Sequence, residues 1–373
     1  MPARRHVLMI SKPVVPPWND SAKIIVRDQV THSERYRYGV MTTRKAREPI
    51  GPNTVMEPIY GDGGKLAAGI RQNLVVMWRG LWPRGSSIYH FFFAPNTVSS
   101  AAGRLMRSVA RVKTVHTVCS APASFEGSRA LLFADRVITL SQNTMDRFVE
   151  AGVDPDRLRY VPPGIVPLDR PDAEARAARR RMFDLPDGPI VMFPGDYEFS
   201  GASRTVAAAT PAILERHPDA TVVFGCRLKT PRAEGIQDAI KDRLAPFGRR
   251  VRYLNRVEDM PRLLGACDVV ILPAETLYAK MDVPLVIIEA MAQEVPVIVG
   301  DRPPLAELTE AGGGIAIDPG SHERLSQETS GLLDDGDRRA SLGTEGARIV
   351  REKFDAAKMA RKVELVYDEL IEE

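Results

Sequence analysis

Short apolar runs alternate with longer amphipathic stretches along nearly the whole chain, and the alternation breaks only once, near the middle. In the first half the runs are His6–Ile10, Tyr38–Thr42, Thr54–Pro58, Ser87–Phe93, Lys113–Val118, Arg136–Ser141 and Leu158–Val161. Helical spacing falls between them, at Ser21–Thr31, Lys65–Trp82, Ser99–Ala110 and Asn143–Ala151. Strands separated by helices form βαβ units and pair in parallel. The break, Pro162–Pro189, is rich in Pro, Asp and Arg and carries an Ala/Arg run at Ala173–Arg181. After it the rhythm resumes with strands at Ile190–Pro194, Thr221–Gly225, Val251–Leu254, Val269–Leu272, Val297–Gly300 and Gly314–Ile317. Helices are predicted at Ser203–Arg216, Ala233–Leu244, Met260–Ala266, Leu285–Gln293, Glu323–Asp335, Leu342–Phe354 and Ala356–Glu372. The expectation is α/β: two Rossmann-like, doubly wound domains, 1–165 and 189–354, joined by a linker at 166–188 and closed by a helix at 355–373. Ligands of such sheets bind outside the carboxyl ends of the strands, so a cleft between two of them is the default site.

Composition narrows the class further. No apolar run in the 373 residues approaches the ~18 needed to span a membrane. Basic Met1–Arg5 is followed by too short an apolar stretch for a secretory signal. Cys119, Cys226 and Cys267 are scattered and odd in number, giving neither a disulfide framework nor a zinc spacing. A cytoplasmic chain without metal or cofactor is expected. Charge is divided unequally: residues 1–185 carry 28 Lys and Arg against 16 Asp and Glu, and the remainder carries 23 against 32. A basic half suits a phosphorylated substrate or an anionic surface, whereas no interleaving of arginines with aromatics points to nucleic acid. Within it, Ile70, Leu74, Met77, Trp78 and Leu81 share one side of a helix flanked by Arg71, Arg79 and Arg84. Such a stripe is either core or a peripheral contact with the cytoplasmic face of a membrane.

The segment Asp268–Leu308 carries Glu289-Ala290-Met291-Ala292, Pro296-Val297-Ile298 and Glu307-Leu308. Upstream stand Ser141, Gly152-Val153, Arg157 and Val161-Pro162-Pro163-Gly164, and downstream Phe354-Asp355 and Tyr367. Together these resemble the family-4 retaining glycosyltransferases (glycosyl transferases group 1), well over about residues 130–373 and in layout alone before that. The resemblance implies a GT-B fold: two Rossmann-like domains facing across a cleft, with the last helix crossing back to the first. It implies transfer of a sugar from a nucleoside-diphosphate donor to an acceptor hydroxyl, with retention and without metal. Two other readings share the fold, a sugar-nucleotide epimerase and a catalytically degenerate protein that binds a sugar nucleotide or a partner. The acceptor could be a glycan, a lipid-linked sugar or a small molecule.

On this resemblance Glu289 accepts the donor's ribose hydroxyls, and the amides of Leu285 and Val286 meet its phosphates at a helix start. The family's first acidic residue would fall at Met281; Asp282, beside it, is the candidate for the sugar hydroxyls. The family's phosphate-clamping Arg and Lys are missing from Gly195-Asp196-Tyr197-Glu198-Phe199-Ser200-Gly201. Lys280, Arg204, and Arg227 with Lys229 are the available cations, and Gly195, Ser200 and Arg256 complete the donor set. The interdomain Asp of the family is Val166 here. Asn19, Asp20, Ser21 and Lys23 follow the first strand, where helix capping and contact with phosphate or acceptor are both open. His116 is the catalytic candidate of the first domain; His90 is a second strand histidine, and Cys119 stands where the family has its histidine.

Overall fold

The computed structural model describes residues 5–46, 48–61, 70–278 and 280–372, and it divides into two compact units. Unit 1 comprises Met1–Val166, Lys280–Val283 and Phe354–Glu373. Its strands are β1 (His6–Ile10), β2 (Arg37–Thr43), β3 (Thr54–Tyr60), β4 (Ser86–Phe93), β5 (Lys113–Val118), β6 (Arg136–Thr139) and β7 (Leu158–Tyr160). All pair in parallel, in the order β3-β2-β1-β4-β5-β6-β7. Helices α1 (Ser21–Thr31), α2 (Ile70–Gly80), α3 (Thr97–Ala110) and α4 (Gln142–Glu150) lie between the strands in sequence. The central strands read as unbroken apolar runs because both faces of a parallel sheet are covered. Leu8, Met41, Tyr89, Phe91, Met106 and Phe133 pack together in its core.

Unit 2 comprises Pro167–Ala279 and Pro284–Lys353. In chain order it contains α5 (Ala173–Met182), β8 (Ile190–Phe193), α6 (Ala202–Arg216), β9 (Thr221–Phe224), α7 (Pro231–Leu244), β10 (Val251–Tyr253) and α8 (Met260–Leu264). Then come β11 (Val269–Leu272), α9 (Leu285–Ala292), β12 (Val297–Gly300), β13 (Ile315–Ile317), α10 (His322–Asp334) and α11 (Gly336–Lys353). The six strands are parallel in the order β10-β9-β8-β11-β12-β13. Strand order thus reverses between β1 and β4 in unit 1 and between β8 and β11 in unit 2. Those switch points are where doubly wound sheets open a crevice for a ligand.

The last helix, α12 (Ala356–Glu372), belongs to unit 1. Its Tyr367 hydroxyl accepts from Gln29 Nε2 at 2.8 Å and lies 2.6 Å from His90 Nδ1, while His90 Nε2 lies 2.7 Å from Thr117 Oγ1. All four residues are buried, so each polar atom needs the partner it has. Glu364, also buried, accepts from the Ser33 hydroxyl and from the backbone N–H groups of Glu34 and Arg35. His90 is therefore part of the fastening of α12, and burial holds its pKa well below the ordinary value.

The helix predicted over Lys65–Trp82 is seen from Ile70 to Gly80. Residues 65–69 lie outside the described residues, as do the side chains of Ile70 and Arg71. Leu74 and Trp78 of the expected stripe face solvent, whereas Val76 and Leu81 reach the core. Arg79 is buried, its guanidinium bound to the Glu57 carboxylate at 2.5 and 2.9 Å.

Candidate functional site

In unit 2 the loops after β8 and β11 flank the switch point. Gly201 closes the first loop at φ +72°, a left-handed conformation natural to glycine. A Cβ there would stand 2.4 Å from the Glu275 carboxylate, so the two loops touch closely. The Glu275 N–H also donates to the Ser200 carbonyl at 2.9 Å. Ser200 is fully buried, and its Oγ has no hydrogen-bond partner among the described residues.

The two carboxylates of the first loop are turned inward. Asp196 Oδ1 accepts from the backbone N–H groups of Glu198 and Phe199, at 2.9 and 2.5 Å, in a turn closed by its own side chain. Glu198 Oε2 accepts from the Thr230 hydroxyl at 2.6 Å. Arg204, in the first turn of α6, is 3.9 Å from Glu275 with both side chains largely in water, a pairing of little strength. Arg256, after β10, forms a similar exposed pair with Glu258 at 3.1 Å. Arg227, after β9, differs: its Nη1 is buried with no hydrogen-bond partner among the described residues.

Helix α9 begins beyond the carboxyl end of β11. Its N-cap is Pro284, which supplies no side-chain hydrogen bond, so the N–H groups of Leu285 and Val286 have no cap. The Leu285 side chain is buried while Val286 and Glu289 are half-buried. Glu289 thus lies one turn inside an uncapped helix start, where the dipole favours anions.

Two sequence-based assignments are corrected in unit 1. Asp282 is only 1% exposed. Its Oδ1 accepts from the Ala121 N–H at 3.0 Å and its Oδ2 from the Ser141 hydroxyl at 3.1 Å. It anchors the segment Lys280–Val283 to unit 1 instead of meeting sugar hydroxyls; Lys280 is half-buried in the same segment. The signal was present in Ser141, the N-cap of α4, but nothing local connected it to position 282. His116 is fully buried on β5, its ring against those of Phe93 and Phe133, with Nε2 3.1 Å from the Phe93 carbonyl. Burial lowers its pKa to about 4, so it is a neutral core side chain and not a positioned base. Cys119 is likewise buried, its thiol pushed up to about 12.

At the switch point of unit 1, Asp20 caps α1 by accepting the Ala22 N–H at 3.1 Å and pairs with Lys12 at 2.7 Å. The Asn19 N–H and the Lys23 ammonium both donate to the Pro17 carbonyl, at 3.0 and 3.2 Å. Ser21 opens α1. Arg27 stacks over Trp18 at 4.9 Å. Burial lowers the Lys23 pKa, Lys12 adds to the effect, and Asp20 opposes it. The loop is a turn built on ordinary capping, in which Lys12 is paired with Asp20 and Arg27 with Asp28 at 2.6 Å. Among the described residues, no three His, Cys, Asp or Glu cluster closely enough to hold a metal ion.

A family model described as glycosyl transferases group 1 matches residues 188–335, the span holding the loops and α9 just described. A GDP-mannose-dependent alpha-(1-6)-phosphatidylinositol monomannoside mannosyltransferase of Mycobacterium tuberculosis is 29% identical over 237 residues, 61% of this chain and 60% of that protein. A D-inositol 3-phosphate glycosyltransferase of Nocardia farcinica is 28% identical over 275 residues, 66% of this chain and 59% of that one. The chain thus spans about 60% of the length of these curated relatives. Among solved structures, a sucrose-phosphate synthase of Thermosynechococcus elongatus superposes with a TM-score of 0.76 at 19% identity, over 99% of both chains. The match over unit 2 is thus to the group 1 glycosyltransferases, and the two parallel doubly wound sheets are those of the GT-B fold.

Proposed function

We infer that this chain transfers a hexose from a nucleoside-diphosphate donor to an acceptor hydroxyl, with retention at the anomeric carbon and without a metal ion. The observation that carries this reading is the uncapped start of α9 with Glu289 one turn inside it, at the switch point of unit 2 and within the span of the family model. The Leu285 and Val286 N–H groups meet the diphosphate, and the Glu289 carboxylate accepts the ribose hydroxyls. Arg227 supplies the cation that the loop after β8 lacks. Its buried Nη1 needs an acceptor, and an anionic oxygen provides one. In the transfer, the bond from the anomeric carbon to the phosphate oxygen breaks as the acceptor oxygen bonds to that carbon. The acceptor's proton passes to the departing phosphate.

GDP-mannose is the first donor to test, since the mycobacterial relative is named for it. Both relatives are named for inositol phosphates, free or lipid-linked, as acceptors. A phosphorylated polyol suits the Lys12, Lys23 and Arg27 turn of unit 1 in the same way. The test is thermal stabilisation by GDP-mannose, UDP-glucose and dTDP-glucose, followed by release of nucleoside diphosphate in the presence of inositol phosphates. A shift with one donor and turnover with a phosphorylated polyol are expected. If no sugar nucleotide raises the melting temperature, the reading fails.

A further inference from the structure

The loop after β9, residues 225–230, is held at both ends by β8 and the loop that follows it. At its start the Gly225 N–H donates to the carbonyl of Phe193, the last residue of β8, at 2.9 Å. At its end the Thr230 hydroxyl donates to Glu198 Oε2 at 2.6 Å. The same hydroxyl oxygen accepts the Ala233 N–H at 3.1 Å and so caps α7. Its proton and a lone pair are both committed, which fixes the Thr230 side chain, and the bond to the carboxylate is the stronger of the two. Arg227 stands three residues before Thr230, between the two anchors. Its Nη1 is the buried guanidinium nitrogen that has no acceptor among the described residues.

Glu198 is itself held in place. Its N–H is one of those bound by the Asp196 carboxylate, so the residue starts from a fixed backbone. Tyr197, before it, is buried. The Tyr197 hydroxyl accepts from Gln237 Nε2 on α7 at 2.9 Å, and its carbonyl accepts the Ser203 hydroxyl at 3.1 Å. The Tyr197 ring lies over that of Phe224, the last residue of β9, with centroids 6.4 Å apart and planes 11° from parallel. Consecutive residues of the loop after β8 thus reach the end of β9, the loop after it and α7, each by a different contact. A charged side chain carried on a loop fixed at both ends loses less freedom when a ligand arrives.

We propose that Glu198 is a positioning residue for Arg227: through Thr230 it fixes the loop after β9, so that the guanidinium is in place for a phosphate oxygen of the donor. Tyr197 serves the same end through Phe224 and α7. Glu198 touches no donor atom. A carboxylate that would repel a diphosphate if it faced one acts instead through the hydroxyl whose proton it accepts. This inference rests on the reading above, because Arg227 has a phosphate partner only if the chain binds a nucleotide.

The test is a double-mutant cycle read by titration calorimetry with GDP, UDP and dTDP, using whichever diphosphate the parent binds. Glu198→Ala should weaken that diphosphate by about tenfold, the scale of one hydrogen bond to a charged group. Glu198→Gln, which keeps an acceptor for Thr230, should recover most of the loss. In the Arg227→Ala background Glu198→Ala should change affinity by less than about twofold, because the group it positions is gone. Melting temperatures of the same samples supply the contrast, since lost stability should be the same in both backgrounds. Tyr197→Phe removes one hydroxyl from the second tie and should show the same dependence on Arg227 with a smaller loss. Glu198→Ala binding like the parent, or losing as much affinity without Arg227 as with it, would overturn the proposal. Tighter binding by Glu198→Ala would overturn it too, by showing that the carboxylate faces the phosphates. A parent that binds none of the three diphosphates, or an Arg227→Ala variant that binds like the parent, refutes the reading beneath the proposal and the proposal with it.

Discussion

Replacing Asp282 by alanine separates a structural carboxylate from a catalytic one. The side chain meets the Ala121 N–H at 3.0 Å and the Ser141 hydroxyl at 3.1 Å, while its own N–H donates to the Cys119 carbonyl at 3.2 Å. Truncation leaves two donors facing the space of a lost carboxyl group. A stranded buried donor costs ~1–3 kcal/mol, and the Ser141 hydroxyl can rotate toward another acceptor, so the expected loss is about 2–4 kcal/mol. Asp282→Asn keeps an acceptor for Ala121 and should stay within about 1 kcal/mol of the parent. The two variants also separate in pH. Burial raises the Asp282 pKa above its ordinary 3.8, against hydrogen bonds from Thr144, Ser141 and Ala121. The folded carboxyl then keeps its proton longer than the unfolded one, so its contribution to stability falls as pH rises from that ordinary value through the raised one. The asparagine variant lacks that fall. Urea midpoints for the three proteins across the acid range measure both effects. If Asp282→Ala unfolds with the parent's midpoint yet loses affinity for a sugar nucleotide, the carboxylate belongs to the donor site and the anchoring argument is wrong.

Glu289→Ala should weaken donor binding more than tenfold, since a lost hydrogen bond to a charged group costs ~1.5–3 kcal/mol; titration calorimetry decides it, and an unchanged Kd would remove the donor assignment. Arg227→Ala should weaken the nucleoside diphosphate and the sugar nucleotide alike, because its proposed partner is phosphate; a loss confined to the sugar nucleotide would place it elsewhere. Turnover should survive EDTA, and activity restored only by magnesium or manganese would contradict the role given to α9. His116 has a folded pKa of about 4 against an ordinary 6.5, so its contribution is full above 6.5 and is lost as pH falls toward 4, by about 3 kcal/mol in all. His116→Gln should flatten that part of the stability profile, and an unaltered slope would show that the ring is not buried neutral.

Much of the sheet was legible because parallel strands covered on both faces leave a direct mark. His6–Ile10 and Lys113–Val118 are strands over those same residues, bounded by chain that cannot continue them. Helix ends were less legible. Arg136–Ser141 reads as one apolar run, but the strand stops at Thr139 and Ser141 turns its hydroxyl to the Thr144 N–H to open α4. The stripe on α2 shows a different limit. Periodicity reveals that one side of a helix is apolar without telling which side meets the core. Here Arg79, paired with Glu57, is buried, and the stripe's Leu74 and Trp78 are exposed.

The candidate site divides along the same line. Chain order alone places the loops after β8 and β11 and the start of α9 at a switch point, whereas the choice of Glu289 there rests on the resemblance. His116 could not be judged that way. On a central strand both faces are covered, and a histidine becomes a core side chain if a neighbouring carbonyl takes its one donor, as Phe93 does. Asp282 depends on Ala121 and Ser141, well over a hundred residues away in sequence, and no local pattern encodes that pairing. The same long-range contacts change the meaning of the missing cations. Read in sequence, Asp196 and Glu198 would repel a diphosphate; in the fold Asp196 closes its own turn and Glu198 holds Thr230. Their charge is directed into the loop, and on the proposed reading the buried guanidinium nitrogen of Arg227 takes the phosphate oxygen as its acceptor.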